Sequence, residues 1–158
     1  MLSHSPTLGT LLRHLLDHLD QEVEAAYQAA GLDWRPRYTP VLRLLMREGG
    51  QSIKAIAAEV GVSQSAVSQT VTQMVRQDLV VLRPGDDARE RIVMLTEKTI
   101  LLIPRLQSQW AAVNLAADTL DQELPASLSG VVKDAVAALS EKSFGQRIQA
   151  AAKSQTAP

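Results

Sequence analysis

The apolar positions of this chain change period twice, and those changes divide it. In "TLGTLLRHLLDHLDQEVEAAYQAAGL", Leu8, Leu11, Leu12, Leu15, Leu19, Val23, Ala26 and Tyr27 recur at three-and-four spacing. That spacing predicts a long amphipathic helix with Gly31 as its stop. "DWRPRY" reads as a linker, because Pro36 disfavours helix at Arg35. Thr39 and Pro40 supply a hydroxyl cap and a first-turn proline, so "PVLRLLMRE" is predicted as a second helix ending at Gly49-Gly50. Ser52 caps a short third helix, "IKAIAAEV"; Gly61 breaks it, and Ser63 caps a fourth that runs to about Gln77.

The period then drops to that of strands. "LVVLRPGDDARERIVMLT" holds two β-branched, apolar runs, Leu79–Arg83 and Arg91–Leu95, around a centre where Pro84-Gly85 suits a type II turn, a β-hairpin with a longer tip than the tightest type. After Thr96 helical spacing returns through Ile100, Ile103, Trp110, Val113, Ala117 and Leu120, with Pro104 expected to kink that helix or make its start irregular. One last helix is expected from about Pro125, through Leu128, Val132, Ala135, Leu139 and Ile148, before a frayed tail.

The centre of this order carries the chemistry. Two short helices crossing steeply need a small residue at their contact, a tolerant turn and inward apolar anchors. Ala57, Gly61, Val67 and Val71 fill those roles, with Ile56 and Val60 completing the packing. If Val67, Val71, Met74 and Val75 point inward, the opposite face of the fourth helix presents Gln64, Ser65, Ser68, Gln69, Thr72 and Arg76. No acid occurs between Gln64 and Gln77. Gln pairs bidentately with adenine, Ser and Thr reach phosphates or several bases, and the helix start at Ser63 offers amide donors. The following hairpin, with Arg83, Arg89 and Arg91, completes a winged helix-turn-helix layout.

Composition narrows this picture. The 158 residues are 46% hydrophobic, 21% charged and only 3% aromatic, which suits one aliphatic helical domain more than a β-sandwich. The absence of cysteine excludes disulfides and thiolate metal sites. No membrane-spanning stretch or secretion signal is evident, so a cytoplasmic location is expected. The net charge of −1 argues mildly against a polyanionic partner. Between Lys54 and Arg91, five bases (Lys54, Arg76, Arg83, Arg89, Arg91) face five acids (Glu59, Asp78, Asp86, Asp87, Glu90), so few phosphate contacts per subunit are expected.

The stretch "TPVLRLLMREGGQSIKAIAAEVGVSQSAVSQTVTQMVRQDLVVLRPGDDARERIVMLTEKT" resembles the core of MarR-type bacterial transcriptional regulators. The specific part is "DARERIVMLTEKT", where Asp87, Arg89, Leu95 and Thr96 fall on the family's wing signature; Thr99 stands where the family often has Gly. The resemblance implies a mainly α fold with a small β-hairpin wing, a winged helix-turn-helix over residues 36–98. Flanking N- and C-terminal dimerisation helices would span 6–31 and 99–152. It further implies that Arg89 enters a minor groove, with Asp87 holding it or its loop, and that anionic aromatic effectors bind near the linker. Trp34, Arg37 and Tyr38 are the candidates for that pocket, against a plainer reading in which Trp34 and Tyr38 close the seam between the first two helices.

His14, Asp17 and His18 share one helix face, but no third or fourth ligand accompanies them, so neither a metal nor another cofactor is expected. Trp110 reads as core or dimer interface. No catalytic cysteine, nucleophile elbow or phosphate loop is present, which argues against an enzyme. The expected activity is sequence-specific binding of double-stranded DNA by a homodimeric regulator, most simply a repressor. Lys54, Ser63, Gln64, Ser65, Ser68, Gln69, Thr72, Arg76, Asp87, Arg89 and Arg91 would form the DNA-binding set. The alternative is a winged-helix module that dimerises and binds a protein partner instead of DNA.

Overall fold

Thr7 opens the first helix: its hydroxyl accepts the Thr10 amide at 3.2 Å, and α1 runs Leu8–Ala29. The helix closes where predicted, with the Leu32 amide returning to the Tyr27 carbonyl and the Gly31 amide to that of Gln28. The computed structural model describes residues 5–87 and 90–155. It divides into two compact units, one ending at Trp110 and the other beginning at Ala111.

In the first unit α1 is followed by α2 (Tyr38–Glu48), β1 (Gln51–Ser52), α3 (Ile53–Val60), α4 (Gln64–Arg76), β2 (Val80–Pro84), β3 (Arg91–Leu95) and the first half of α5 (Glu97–Glu123). The second unit holds the rest of α5 with α6 (Leu128–Glu141) and α7 (Phe144–Gln155). This is the mainly helical winged helix-turn-helix that the sequence predicts, with three strands where two were expected. The added strand, β1, pairs antiparallel with β3 (Gln51 opposite Val93), and the sheet order is β1-β3-β2. Gly50 permits that approach: a Cβ there would lie 2.8 Å from Cγ2 of Ile92.

Several local expectations change. The second helix starts at Tyr38 without a side-chain cap, because the Thr39 hydroxyl instead accepts the Trp34 indole N–H at 3.1 Å. The first wing strand lies one residue later than expected, and pairing continues to Pro84 opposite Arg91. A type II turn at Pro84-Gly85 needs positive φ at Gly85, yet Gly85 is not among the positive-φ glycines. Its amide instead meets the Glu90 carbonyl at 2.9 Å, in keeping with the longer tip expected. Helix α5 continues through Pro104. The expected last helix is two: Ser143 accepts the Gln146 amide while the Gln146 side chain accepts that of Ser143, a reciprocal cap that starts α7.

The core belongs to the first unit. Leu42, Ile56, Met74, Val93 and Leu106 are fully enclosed, and Val67, Val71, Leu79 and Val80 are buried around them. Val75, expected inward, is 39% exposed because it lies beside the anchor row of Val67, Val71 and Met74. Trp110 is core: its indole donates to the Tyr27 hydroxyl at 3.0 Å, and the Arg43 guanidinium lies 4.6 Å from its ring. Thr99 is buried and donates to the Leu79 carbonyl at 2.6 Å, so the residue standing in place of glycine fastens α5 to the base of the wing. The apolar stripe of α1 is buried only at Tyr27, while Leu8, Leu11, Leu12 and Leu19 are exposed.

Candidate nucleic-acid interface

The helix-turn-helix is fixed at both helix starts. Ser52 caps α3 through the Ala55 amide and Ser63 caps α4 through that of Ala66. Between them Gly61 adopts φ +74, the left-handed conformation in which side-chain-bearing residues are strained. The amides of Gly61 and Val62 both return to the carbonyl of Ala57, which is buried at the helix crossing.

With Val67, Val71 and Met74 inward, Gln64, Ser65, Ser68, Gln69, Thr72 and Arg76 are exposed, as the spacing predicts. The Thr72 hydroxyl donates to the Ser68 carbonyl at 2.8 Å, leaving its lone pairs outward. The Ser63 hydroxyl accepts its cap bond and keeps its own proton to donate. A shallow groove of about 460 Å³ joins three elements: Ser52 and Lys54 from the start of α3, Gln64, Ser65 and Ser68 from α4, and Glu90 and Arg91 from the wing. A second, of about 280 Å³, continues along α4 past Gln69, Thr72, Gln73 and Arg76. The structure thus brings Lys54, Gln64, Ser65, Ser68 and Arg91 to one surface and carries it on to Gln69, Thr72 and Arg76. Asp87 lies exposed in the wing tip, and Arg89 lies outside the described residues.

Two arginines upstream of the predicted set alter its electrostatics. Arg47 of α2 meets Glu59 of α3 at 2.6 Å and Glu48 at 2.7 Å. Hydrogen bonds to Glu48 first and to Glu59 second push the guanidinium pKa above its usual value. The pair is exposed and worth little in stability, but it gives the acid of the helix-turn-helix a local counter-charge. Arg37 reaches across 36 residues of sequence to donate from Nη2 to the Gln73 side-chain oxygen, which the Tyr38 hydroxyl also approaches at 3.4 Å. Gln73 was legible, since it sits four residues after Gln69 at the border of the exposed face. The arrival of Arg37 was not, because no local spacing encodes it.

The residues proposed for a ligand pocket divide into a buried pair and an exposed cation. Trp34 and Tyr38 are buried, edge to face with ring centroids 5.5 Å apart, while Arg37 is exposed beside α4. Trp34 does contribute to a cleft of about 190 Å³ with Leu32, Leu79 and Leu102 as walls and Asp33, Gln77 and Lys98 as polar groups. The Gln77 amide nitrogen donates to Asp33 at 3.0 Å, and its buried Oε1 has no partner. His14, Asp17 and His18 are all exposed, and no cluster of three metal-ligating side chains occurs among the described residues.

The MarR family model matches residues 31–90, the stretch from the end of α1 to the wing. This core is of the MarR type. The MarR-type match covers both grooves except for Arg91. Among solved structures, the M. tuberculosis transcriptional regulator MosR in complex with DNA superposes with a TM-score of 0.69 at 20% identity, over 92% of this chain and 98% of that one. The PcaV transcriptional regulator of Streptomyces coelicolor, in complex with its natural ligand, gives 0.63 at 21%, over 87% and 97%. CouR, a transcriptional repressor bound to a 23-mer DNA duplex, gives 0.64 at 21%, over 85% and 92%. These likenesses establish the fold beyond the MarR-type core. No curated protein matches the chain. No helix among the described residues is long and apolar enough to cross a membrane.

Proposed function

We propose that the chain is a homodimeric, sequence-specific DNA-binding regulator of transcription, acting as a repressor on a pseudo-palindromic operator. The observation that carries this reading is the groove shared by α3, α4 and the wing, where Lys54 and Arg91 flank the hydroxyl and amide groups of Gln64, Ser65 and Ser68. Those groups read base edges, and the flanking cations meet phosphate. MosR and CouR, similar in fold, are DNA-bound in their own structures. Two copies of α4 would enter successive major grooves roughly 34–36 Å apart. Each unit leaves apolar residues exposed, Leu8 and Leu11 of α1 in the first and Val132 and Val136 of α6 in the second, which suit cover by a second copy.

A small aromatic or anionic effector is part of the proposal. The cleft beside Trp34 supports it with apolar walls, the Lys98 cation and the unpartnered Gln77 oxygen, which asks for an N–H or O–H donor. A ligand that fits one spacing of the recognition helices better than another shifts the dimer between them.

Selection from a random duplex pool by the purified protein, at near-physiological salt, tests the reading. The expected product is an inverted repeat with half-sites about one helical turn apart. Folded dimer that enriches no sequence overturns the proposal in favour of the partner-binding module. On the selected operator, Arg89→Ala should weaken binding about tenfold or more with the dimer intact, through loss of a minor-groove contact. Full affinity in that variant removes Arg89 from the contact set.

A further inference from the structure

The contact between Arg37 and Gln73 is unusual in what it joins. Arg37 ends the linker immediately before α2, is exposed, and carries a charge that no ion pair engages among the described residues. Its guanidinium is tethered to Gln73, which lines the outer α4 cleft together with Ser68, Gln69, Thr72 and Arg76. Gln73 and Arg76 are three residues apart on one helix and therefore neighbours on its surface. The Arg37 guanidinium also lies 5.9 Å from the centroid of the buried Tyr38 ring, a second constraint on where a flexible side chain can go.

A guanidinium has five donors, and this tether uses one through Nη2, so a fork remains for a phosphate. Gln73 is polarised by the same contact. Its oxygen accepts from Arg37 and lies near the Tyr38 hydroxyl, so its NH₂ remains as a donor of fixed sense. Gln73 and Arg76 thus turn donors to that cleft, which has no acid among its lining residues, and Arg37 adjoins it through Gln73. The base-reading groove lies on the other side of Ser68, toward Lys54 and the wing.

We propose that Arg37, positioned by Gln73, contacts a DNA backbone phosphate from outside the helix-turn-helix and wing, and with Arg76 at the end of α4 forms a second anchoring point for the duplex. The proposal rests on the DNA-binding reading above. It raises the number of phosphate contacts expected from the charge-neutral 54–91 window by one per subunit.

The test compares wild type, Arg37→Ala, Arg37→Lys and Gln73→Ala on the operator recovered by selection, with affinity measured across a salt series. One lost phosphate contact per subunit reduces the log–log salt slope by about 0.9, or about 1.8 for a dimer. Between 50 and 200 mM salt the wild type then loses roughly twelvefold more affinity than Arg37→Ala. Arg37→Lys should keep the wild-type slope, because it keeps the charge. Gln73→Ala should keep the slope and bind several-fold more weakly, because the charge is present and untethered. The ranking of operator variants should not change for Arg37→Ala, since a backbone contact carries no sequence preference. An unchanged slope in Arg37→Ala overturns the proposal while leaving the regulator reading intact. Failure of the wild type to bind any duplex overturns the regulator reading, and this one with it.

Discussion

Helices α4 and α6 are close in length, 13 and 14 residues, and both carry an apolar stripe at helical spacing. Their fates differ. α4 buries Val67, Val71 and Met74 against its own chain, whereas α6 buries nothing and leaves Val131, Val132, Val136 and Leu139 exposed. Periodicity states that a face wants cover; it does not state what provides it. In α4 the cover comes from α3 and the sheet, elements adjacent in sequence and fixed by short turns. For α6 none of the residues from Ala111 to Ser154 is buried, so its apolar face has no cover within its own unit; the proposed dimer would supply it.

The comparison breaks most visibly in the core. Met74→Ala, at a site with no exposure, should cost about 2–5 kcal/mol through lost transfer energy and a cavity. Denaturant unfolding measures that loss, and a cost near zero would mean α4 is no better anchored than α6. Gly50→Ala should follow at about 1–3 kcal/mol, because the new methyl meets Ile92 and the strand must give. Its signature is faster exchange of the β1 amides, and native stability would show that β1 is dispensable. Val132→Glu with Val136→Glu should leave core unfolding unchanged and weaken self-association at least tenfold, about 1.4 kcal/mol. Sedimentation decides that: an unchanged mass denies α6 its role in assembly, and an unfolded core denies the contrast with α4.

The smallest effect concerns how α6 begins. Asp121 accepts from the Ser127 hydroxyl at 2.9 Å and the Ser129 amide at 3.2 Å, and those bonds, Ser127 first, lower its pKa below the usual 3.8. A carboxylate so lowered stabilises the fold above its unfolded pKa and loses that contribution as pH falls through the lowered folded value. Exchange at the Ser129 amide should therefore accelerate in Asp121→Ala at neutral pH, and in the wild type only on strong acidification. Equal protection in both would leave Ser127 as the sole cap.

The winged half was legible because its signals are local. Ser52, Gly61 and Ser63 each act within four residues, and the Val67, Val71 and Met74 row follows from helix geometry alone. Misreadings arose where a distant group competed for a local one. Thr39 looks like a cap until the Trp34 indole takes its hydroxyl, and Pro84-Gly85 looks like a turn until pairing with Arg91 extends the strand through Pro84. The two-residue β1 has no pattern of its own and exists because β3 passes beside it. The break before α7 was available, in the Ser143 and Gln146 spacing, but a continuous apolar period across it masked the cap. Of the candidate interface, the face of α4 was readable, whereas the contributions of Arg37 and Arg47 depend on α2 crossing the helix-turn-helix.

Thr99 has a mechanical meaning. Its hydroxyl holds the Leu79 carbonyl, Thr96 holds that of Asp78 at 2.8 Å, and Lys98 holds that of Gln77 at 2.6 Å. Three successive carbonyls between α4 and β2 are thus gripped by Thr96 and the first turn of α5. A small rotation of that first turn would therefore move the strand and helix that meet there.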